Sequence, residues 1–168
     1  MNRDSDNWAV IGVDPGKEGY FTLMKKSGIT QYPVPKVGKE IDPHALGELI
    51  TNLSCECDPQ NSIVVIEDVH AIHGSAAQAT FNFGFVCGMI RLGFIICGMP
   101  IVMVAPKKWQ KEMYEGIKAN PDKKVMSVLA AKRLFPQQNL FRTDKCKVPD
   151  NNLTDSLLIA EYGRRHYL

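Results

Sequence analysis

Apolar residues in this chain fall into short, nearly unbroken runs. Trp8-Ala9-Val10-Ile11-Gly12-Val13 ends at Asp14, and Ile63-Val64-Val65-Ile66 ends at Glu67. Runs of this length, rich in β-branched residues and closed by polar or turn residues, predict strands buried on both faces. Residues 8–14 form the first, and Gly19-Tyr20-Phe21-Thr22-Leu23-Met24 the second. Residues 29–34 form the third, with Ser27-Gly28 as the tight turn before it. Residues 62–67 make a fourth strand, and residues 99–104, after Gly98, a fifth.

Helical spacing replaces these runs elsewhere. Asp42-Pro43 predicts a helix start, followed by Leu46, Leu49, Ile50 and Leu53 on one face. A long helix begins at Ser75 and continues past Leu92, with Phe81, Phe85, Gly88 and Leu92 as one stripe and glycines that suggest close helix packing. Pro106 opens a short helix containing Trp109, and Pro121-Asp122 opens another carrying Val125, Val128, Leu129 and Leu134. Residues 139–149 are a polar, basic loop, and a last helix covers about 152–165. The order β-β-β-α-β-α-β-α-α-α predicts one α/β domain over residues 1–168. Its mixed five-stranded sheet has three antiparallel N-terminal strands, two further strands, and helices on both faces. In such a sheet the first and fourth strands can be neighbours, bringing Asp14 and Glu67 together at their C-terminal ends.

Composition narrows the class without naming a function. The chain has 168 residues, 45% hydrophobic and 23% charged, which suffices for an ordinary globular core without disulfide or metal staples. Its start, Met-Asn-Arg-Asp-Ser-Asp-Asn, is too polar for a signal peptide and too acidic for a transit peptide, so the expectation is a cytoplasmic protein. The most apolar window, 81–101, is interrupted by Asn82, Arg91 and glycines, which suits a buried helix and strand better than a membrane span. Five cysteines give an odd count that fits a reducing compartment, and Cys55-x-Cys57 lacks a second pair at zinc-ligand spacing. Net charge is only +2, but residues 107–165 hold thirteen Lys and Arg against seven Asp and Glu. The C-terminal third is therefore the basic part of the chain.

Candidate chemistry rests on three dispersed acids. Asp14 and Glu67 close buried strands, and Asp155 precedes the apolar segment Ser156-Leu157-Leu158-Ile159-Ala160. Taken singly, Asp14 would serve as a turn cap at Pro15-Gly16, Glu67 as a lysine partner, and Asp155 as a helix-dipole charge. Taken with the element order they read as one group. Carboxylates forced together repel unless a hard divalent cation holds them, which points to Mg2+, or Mn2+, and to two ions per site about 4 Å apart that support phosphodiester hydrolysis.

These segments resemble the RuvC-like Holliday-junction resolvases of the RNase H-like nuclease superfamily, particularly the phage-type and organelle-related branches. The resemblance lies in Ile11-Gly12-Val13-Asp14-Pro15-Gly16, in Ile63-Val64-Val65-Ile66-Glu67, and in the segment from Asp155 through Glu161-Tyr162-Gly163-Arg164-Arg165. Phe83-Gly84 with Gly88, and Val104-Ala105-Pro106 with Trp109, look like the helix and the strand between them. It implies a homodimeric, metal-dependent endodeoxyribonuclease that nicks two symmetric strands of a four-way DNA junction, with Asp14, Glu67 and Asp155 as metal ligands. The family places a fourth ligand three to five residues before the last Asp, where this chain offers Asp150, Asn151 and Asn152. Charge favours Asp150, and helical spacing favours Asn152.

Phosphate contacts are expected from Lys107, Lys108 and Lys111 around Trp109, from Lys123 and Lys124 at a helix start, and from Arg164 and Arg165. Trp109 itself suits a core position or a base-stacking one. His70 and His73 follow Glu67 and are candidates for DNA contact or proton shuttling. The long apolar helix is expected to keep a face free for a twofold dimer. Two competing functions use the same residues: a nuclease acting on RNA or an RNA–DNA hybrid, and a junction-binding protein weakened in catalysis. An actin-like or sugar-kinase ATPase is excluded, because no second Asp-x-Gly turn is present.

Overall fold

The computed structural model describes residues 7–69 and 76–168. Along the chain the elements are β1 (Ala9–Asp14), β2 (Tyr20–Lys25), β3 (Gly28–Pro33), β4 (Lys36–Val37), β5 (Glu40–Ile41), α1 (Pro43–Cys55), β6 (Ser62–Glu67), α2 (Ala77–Ile96), β7 (Ile101–Val104), α3 (Pro106–Met113), α4 (Lys123–Leu134) and α5 (Asn151–Tyr167). Five strands form one mixed sheet in the order β3-β2-β1-β6-β7. β1 is antiparallel to β2 and parallel to β6, in a register that sets Val13 beside Ile66. One residue further along both strands are Asp14 and Glu67, so their adjacency follows from the register.

Alternation along the strands divides the core in two. Val10, Val65 and Val104 point to a cluster with Trp109, Met113, Ala130, Ala131, Leu157 and Leu158, supplied by α3, α4 and α5. Ile11, Val13, Val64 and Ile66 point the other way, to Leu46, Ile50, Leu53, Val86, Ile90 and Phe94 of α1 and α2. The expected sheet with helices on both faces is what the chain forms.

α5 lies directly on the sheet because two glycines allow it. A Cβ at Gly12 would come within 2.4 Å of the Ala160 nitrogen and the Ser156 carbonyl oxygen, and one at Gly163 within 2.8 Å of side-chain atoms of Val10 and Val65. Polar bonds fix the same helix along its axis. Ser156 Oγ lies 2.7 Å from Thr22 Oγ1, and Gln31 Nε2 donates to Thr22 Oγ1 and to the Leu153 carbonyl, each at 3.0 Å.

Several expectations need correction. The turn before β3 is Lys26-Ser27, with Gly28 already paired to Lys25. β7 starts at Ile101 rather than residue 99, since Pro100 has no N–H and the Met99 amide is used on the Phe94 carbonyl at the end of α2. The β4–β5 hairpin was not foreseen. In α4 the buried positions are Met126, Ser127, Ala130 and Ala131, while Val125 and Leu129 face outward. Small residues win there because α4 packs closely on α5.

α2 turns a separate set of residues inward. Val86, Ile90 and Phe94 are its buried residues, whereas Phe81, Phe85 and Leu92 of the stripe seen in the sequence are exposed. Apolar residues surround this helix, so periodicity alone does not select the inward face. Of its glycines, Gly93 meets Ile50 of α1, and Gly84 and Gly88 face open space. By length and composition α2 could cross a membrane, but its inner residues form part of the core. Ser75, the expected start of this helix, lies outside the described residues.

Candidate active site

Three elements converge at the C-terminal edge of the central strands. β1 ends at Asp14, β6 at Glu67, and the first turns of α5 carry Asp155. All three are half-buried. Desolvation, then repulsion from Asp155, Glu67 and Asp150, raises Asp14 well above the usual carboxylate range. Burial, opposed by a bond from Ser127 and reinforced by Glu67 and Asp150, pushes Asp155 up to about 7. Glu67 is raised by burial, against the bond from Trp109 and the charge of Lys123. The sequence-predicted acids therefore sense one another's charge.

Glu67 and Asp155 are each gripped by a neutral donor. Trp109 Nε1 donates to Glu67 Oε1 at 2.8 Å, from an indole that is fully buried and edge-packed by Tyr114. Ser127 Oγ of α4 donates to Asp155 Oδ1 and lies 2.8 Å from Thr154 Oγ1. Trp109 is thus a core residue with a polar duty toward Glu67, and its buried ring offers no face to a base.

The loop after β1 is tied to the start of α5. Glu18 accepts from Lys36 and from Arg142 Nη1, and its carbonyl accepts from Asn152 Nδ2 at 2.9 Å. Asp150 is the N-cap of α5: Oδ1 accepts the amides of Asn152 and Leu153, and Oδ2 accepts Arg142 Nε at 2.8 Å. Arg142 also bonds the Tyr20 hydroxyl and covers that ring at 5.6 Å. Both favoured fourth-ligand candidates thus have structural partners, while Asn151 stands one turn before Asp155 on the same helix face.

The basic candidates divide. Lys123 and Lys124 open α4 close enough to act on the charges of Glu67 and Asp155. Lys107, Lys108 and Lys111 are exposed on α3, and Lys108 and Lys111 line a shallow depression with Tyr162 and His166. Arg164 and Arg165 sit about 14 Å along α5 from Asp155, at 1.5 Å per residue, and are bonded to Glu161 and Glu112. His70 and His73 lie outside the described residues. Sequence reasoning missed Ser127, Glu18 and Arg142. A serine within a helix and an arginine in a basic loop carry no local signal of these contacts.

Among the described residues, no three Asp, Glu, His or Cys side chains converge closely enough to hold a metal ion as they stand. The donor set nevertheless fits a hard divalent cation. It consists of carboxylate oxygens in a half-buried setting, two of the acids held by neutral donors that add no positive charge of their own. Asp14, Glu67 and Asp155 are the residues that would hold such an ion.

No protein-family model matches this chain, and no curated protein sequence matches it. Solved structures do. RuvC of T. thermophilus in complex with a Holliday junction substrate superposes with a TM-score of 0.63 at 15% identity, over 96% of this chain and 98% of that one. A second Thermus thermophilus RuvC structure gives 0.54 at 16% identity, over 94% and 95%. The chain therefore has a RuvC-like fold.

Proposed function

We propose that this RuvC-like chain is a metal-dependent endonuclease that resolves four-way DNA junctions by paired phosphodiester hydrolysis. The observation that carries the reading is the grouping of Asp14, Glu67 and Asp155, all raised by burial and the two aspartates also by neighbouring carboxylates, on a fold shared over nearly its whole length with a junction-bound RuvC. Divalent ions, Mg2+ or Mn2+ and two per site, supply activation of water and neutralise the departing oxygen when bound. The chain's own residues do the rest. Asp14, Glu67 and Asp155 hold the ions, with Asn151 beside Asp155 as a neutral oxygen donor. Lys123 and Lys124, at the N-terminus of α4, draw in the phosphates flanking the cleaved bond, helped by the positive end of that helix. Lys107 extends the same basic margin along α3.

Two cuts require two sites, and α2 supplies a surface for pairing them. Phe81, Phe85, Leu92, Ile95 and Ile96 are exposed on it, with the Phe81 and Phe85 rings stacked at 6.4 Å. An apolar face of this kind favours a twofold homodimer.

The test is a substrate panel in Mg2+: a synthetic four-way junction, linear duplex, and RNA–DNA hybrid. Symmetric nicking of the junction alone is expected. Equal or faster cutting of the hybrid would replace the proposal with an RNA-directed nuclease. A second reading follows from the commitment of Asp150 and Asn152 to structural bonds: a protein that binds junctions with weakened catalysis. Tight junction binding without nicking in either metal would favour it.

A further inference from the structure

We infer that Trp109 and Ser127 are positioning residues that set the affinity of the site for a divalent cation, acting through Glu67 and Asp155; this rests on the metal-dependent reading above. An indole N–H can only donate, so a buried tryptophan must be aimed at an acceptor. Trp109 is 0% exposed, and Tyr114 packs edge-on against it at 5.9 Å and 78°. That ring cannot turn without opening the core. Its placement follows from the backbone: Glu67 pairs with Val104 at the end of β7, and α3 begins two residues later at Pro106. The helix start therefore delivers the N–H to the strand end, where it takes Oε1 of Glu67 and leaves Oε2.

Ser127 does the equivalent from α4. It is 1% exposed, donates to Asp155 Oδ1, and is itself held 2.8 Å from Thr154 Oγ1. Thr154 Oγ1 also lies 2.8 Å from the Asn151 carbonyl oxygen, the alternative acceptor for its single proton. A phenylalanine or an alanine at these two positions would keep an apolar or small side chain in place but supply no donor. The donors matter because they are neutral. A lysine or arginine in either place would cancel the carboxylate charge, whereas an N–H or O–H fixes one oxygen and leaves the charge for a cation. Outer donors of this kind orient ligands and typically change metal affinity by roughly 10- to 100-fold when removed.

Mn2+ binding to the DNA-free protein, followed by electron paramagnetic resonance so that weak binding is also read, tests the inference independently of activity. The set is wild type, Trp109→Phe, Glu67→Gln and the double variant, with Ser127→Ala, Asp155→Asn and their double variant as the second cycle. Trp109→Phe and Ser127→Ala should each weaken binding about 10-fold, and neither should weaken it further once its carboxylate partner is replaced. The same loss with and without the partner would mark a purely structural role and overturn the inference. If Trp109→Phe does not fold, the Ser127 cycle decides the matter. Tight wild-type binding left unchanged by both single variants overturns the inference alone. A wild type that takes up no Mn2+ overturns the metal-dependent reading and the inference with it.

Discussion

At the level of single residues, the site concentrates carboxylates that no directly bonded cation among the described residues neutralises. Asp155 is raised to about 7 from 3.8, and Asp14 is raised as well, chiefly by burial. An acid whose folded value lies above its unfolded value stabilises the fold when protonated, and that contribution is lost as pH rises from about 4 through 7. Metal-free protein should therefore melt at a lower temperature at pH 8 than at pH 6. Asp155→Asn should narrow the gap, and saturating Mg2+ should raise the melting temperature most at pH 8. A gap that Asp155→Asn leaves intact would place the titration elsewhere. Asp150 makes a second case. As an N-cap bonded to Arg142, Asp150→Ala should cost about 1 kcal/mol or more, while Asp150→Asn, which caps as well, should keep nicking within a few-fold. Loss of nicking with stability retained in Asp150→Asn would instead make it a ligand. Asp14, Glu67 and Asp155 were legible in the sequence because each adjoins an apolar run that fixes its place. Ser127 was not, since only the packing of α4 on α5 makes its hydroxyl a partner of Asp155.

At the scale of elements, the site is built by how closely α5 lies on the sheet. Gly12→Ala would drive a methyl into the Ala160 nitrogen and the Ser156 carbonyl, both backbone atoms at 2.4 Å, one turn from Asp155. The variant should lose about 1–3 kcal/mol or more by chemical denaturation, and Asp14 and Asp155 should separate. Unchanged stability would mean that α5 does not sit where the structure puts it. Strands were readable with little error, because runs such as Ile63-Val64-Val65-Ile66 are buried on both sides and admit few alternatives. Helix faces were not. Val125 and Leu129 are more apolar than Ser127 and Ala131, yet the small residues face inward because α4 and α5 approach closely. In α2 apolar residues lie on every side, so the sequence pattern could not tell Phe85 outside from Val86 inside. The β4–β5 hairpin was too short to leave a periodic signal.

At the scale of the whole molecule, the sequence showed an excess of positive charge in its last third but not its direction. Folding separates Lys123 and Lys124, beside the carboxylates, from Arg164 and Arg165, paired with Glu161 and Glu112 at the other end of α5. Lys124→Ala should therefore weaken junction binding on any DNA sequence and lower the salt slope by about one contact, while Arg164→Ala should leave that slope unchanged. The reverse result would move the DNA path to the far end of the molecule. Phe85→Asp should shift a dimer toward monomer in sedimentation, because it buries a charge in the exposed α2 face. The central claim is that Asp14, Glu67 and Asp155 form a metal-dependent hydrolytic site for junction DNA. Strand-resolved nicking and binding of one four-way junction by the wild type and Asp14→Asn, with and without Mg2+, tests it most directly. Paired nicks are expected from the wild type only when Mg2+ is present, and none from Asp14→Asn, whose junction binding is kept or improved by the loss of a charge facing the phosphates. Nicking by Asp14→Asn at the wild-type rate would contradict it.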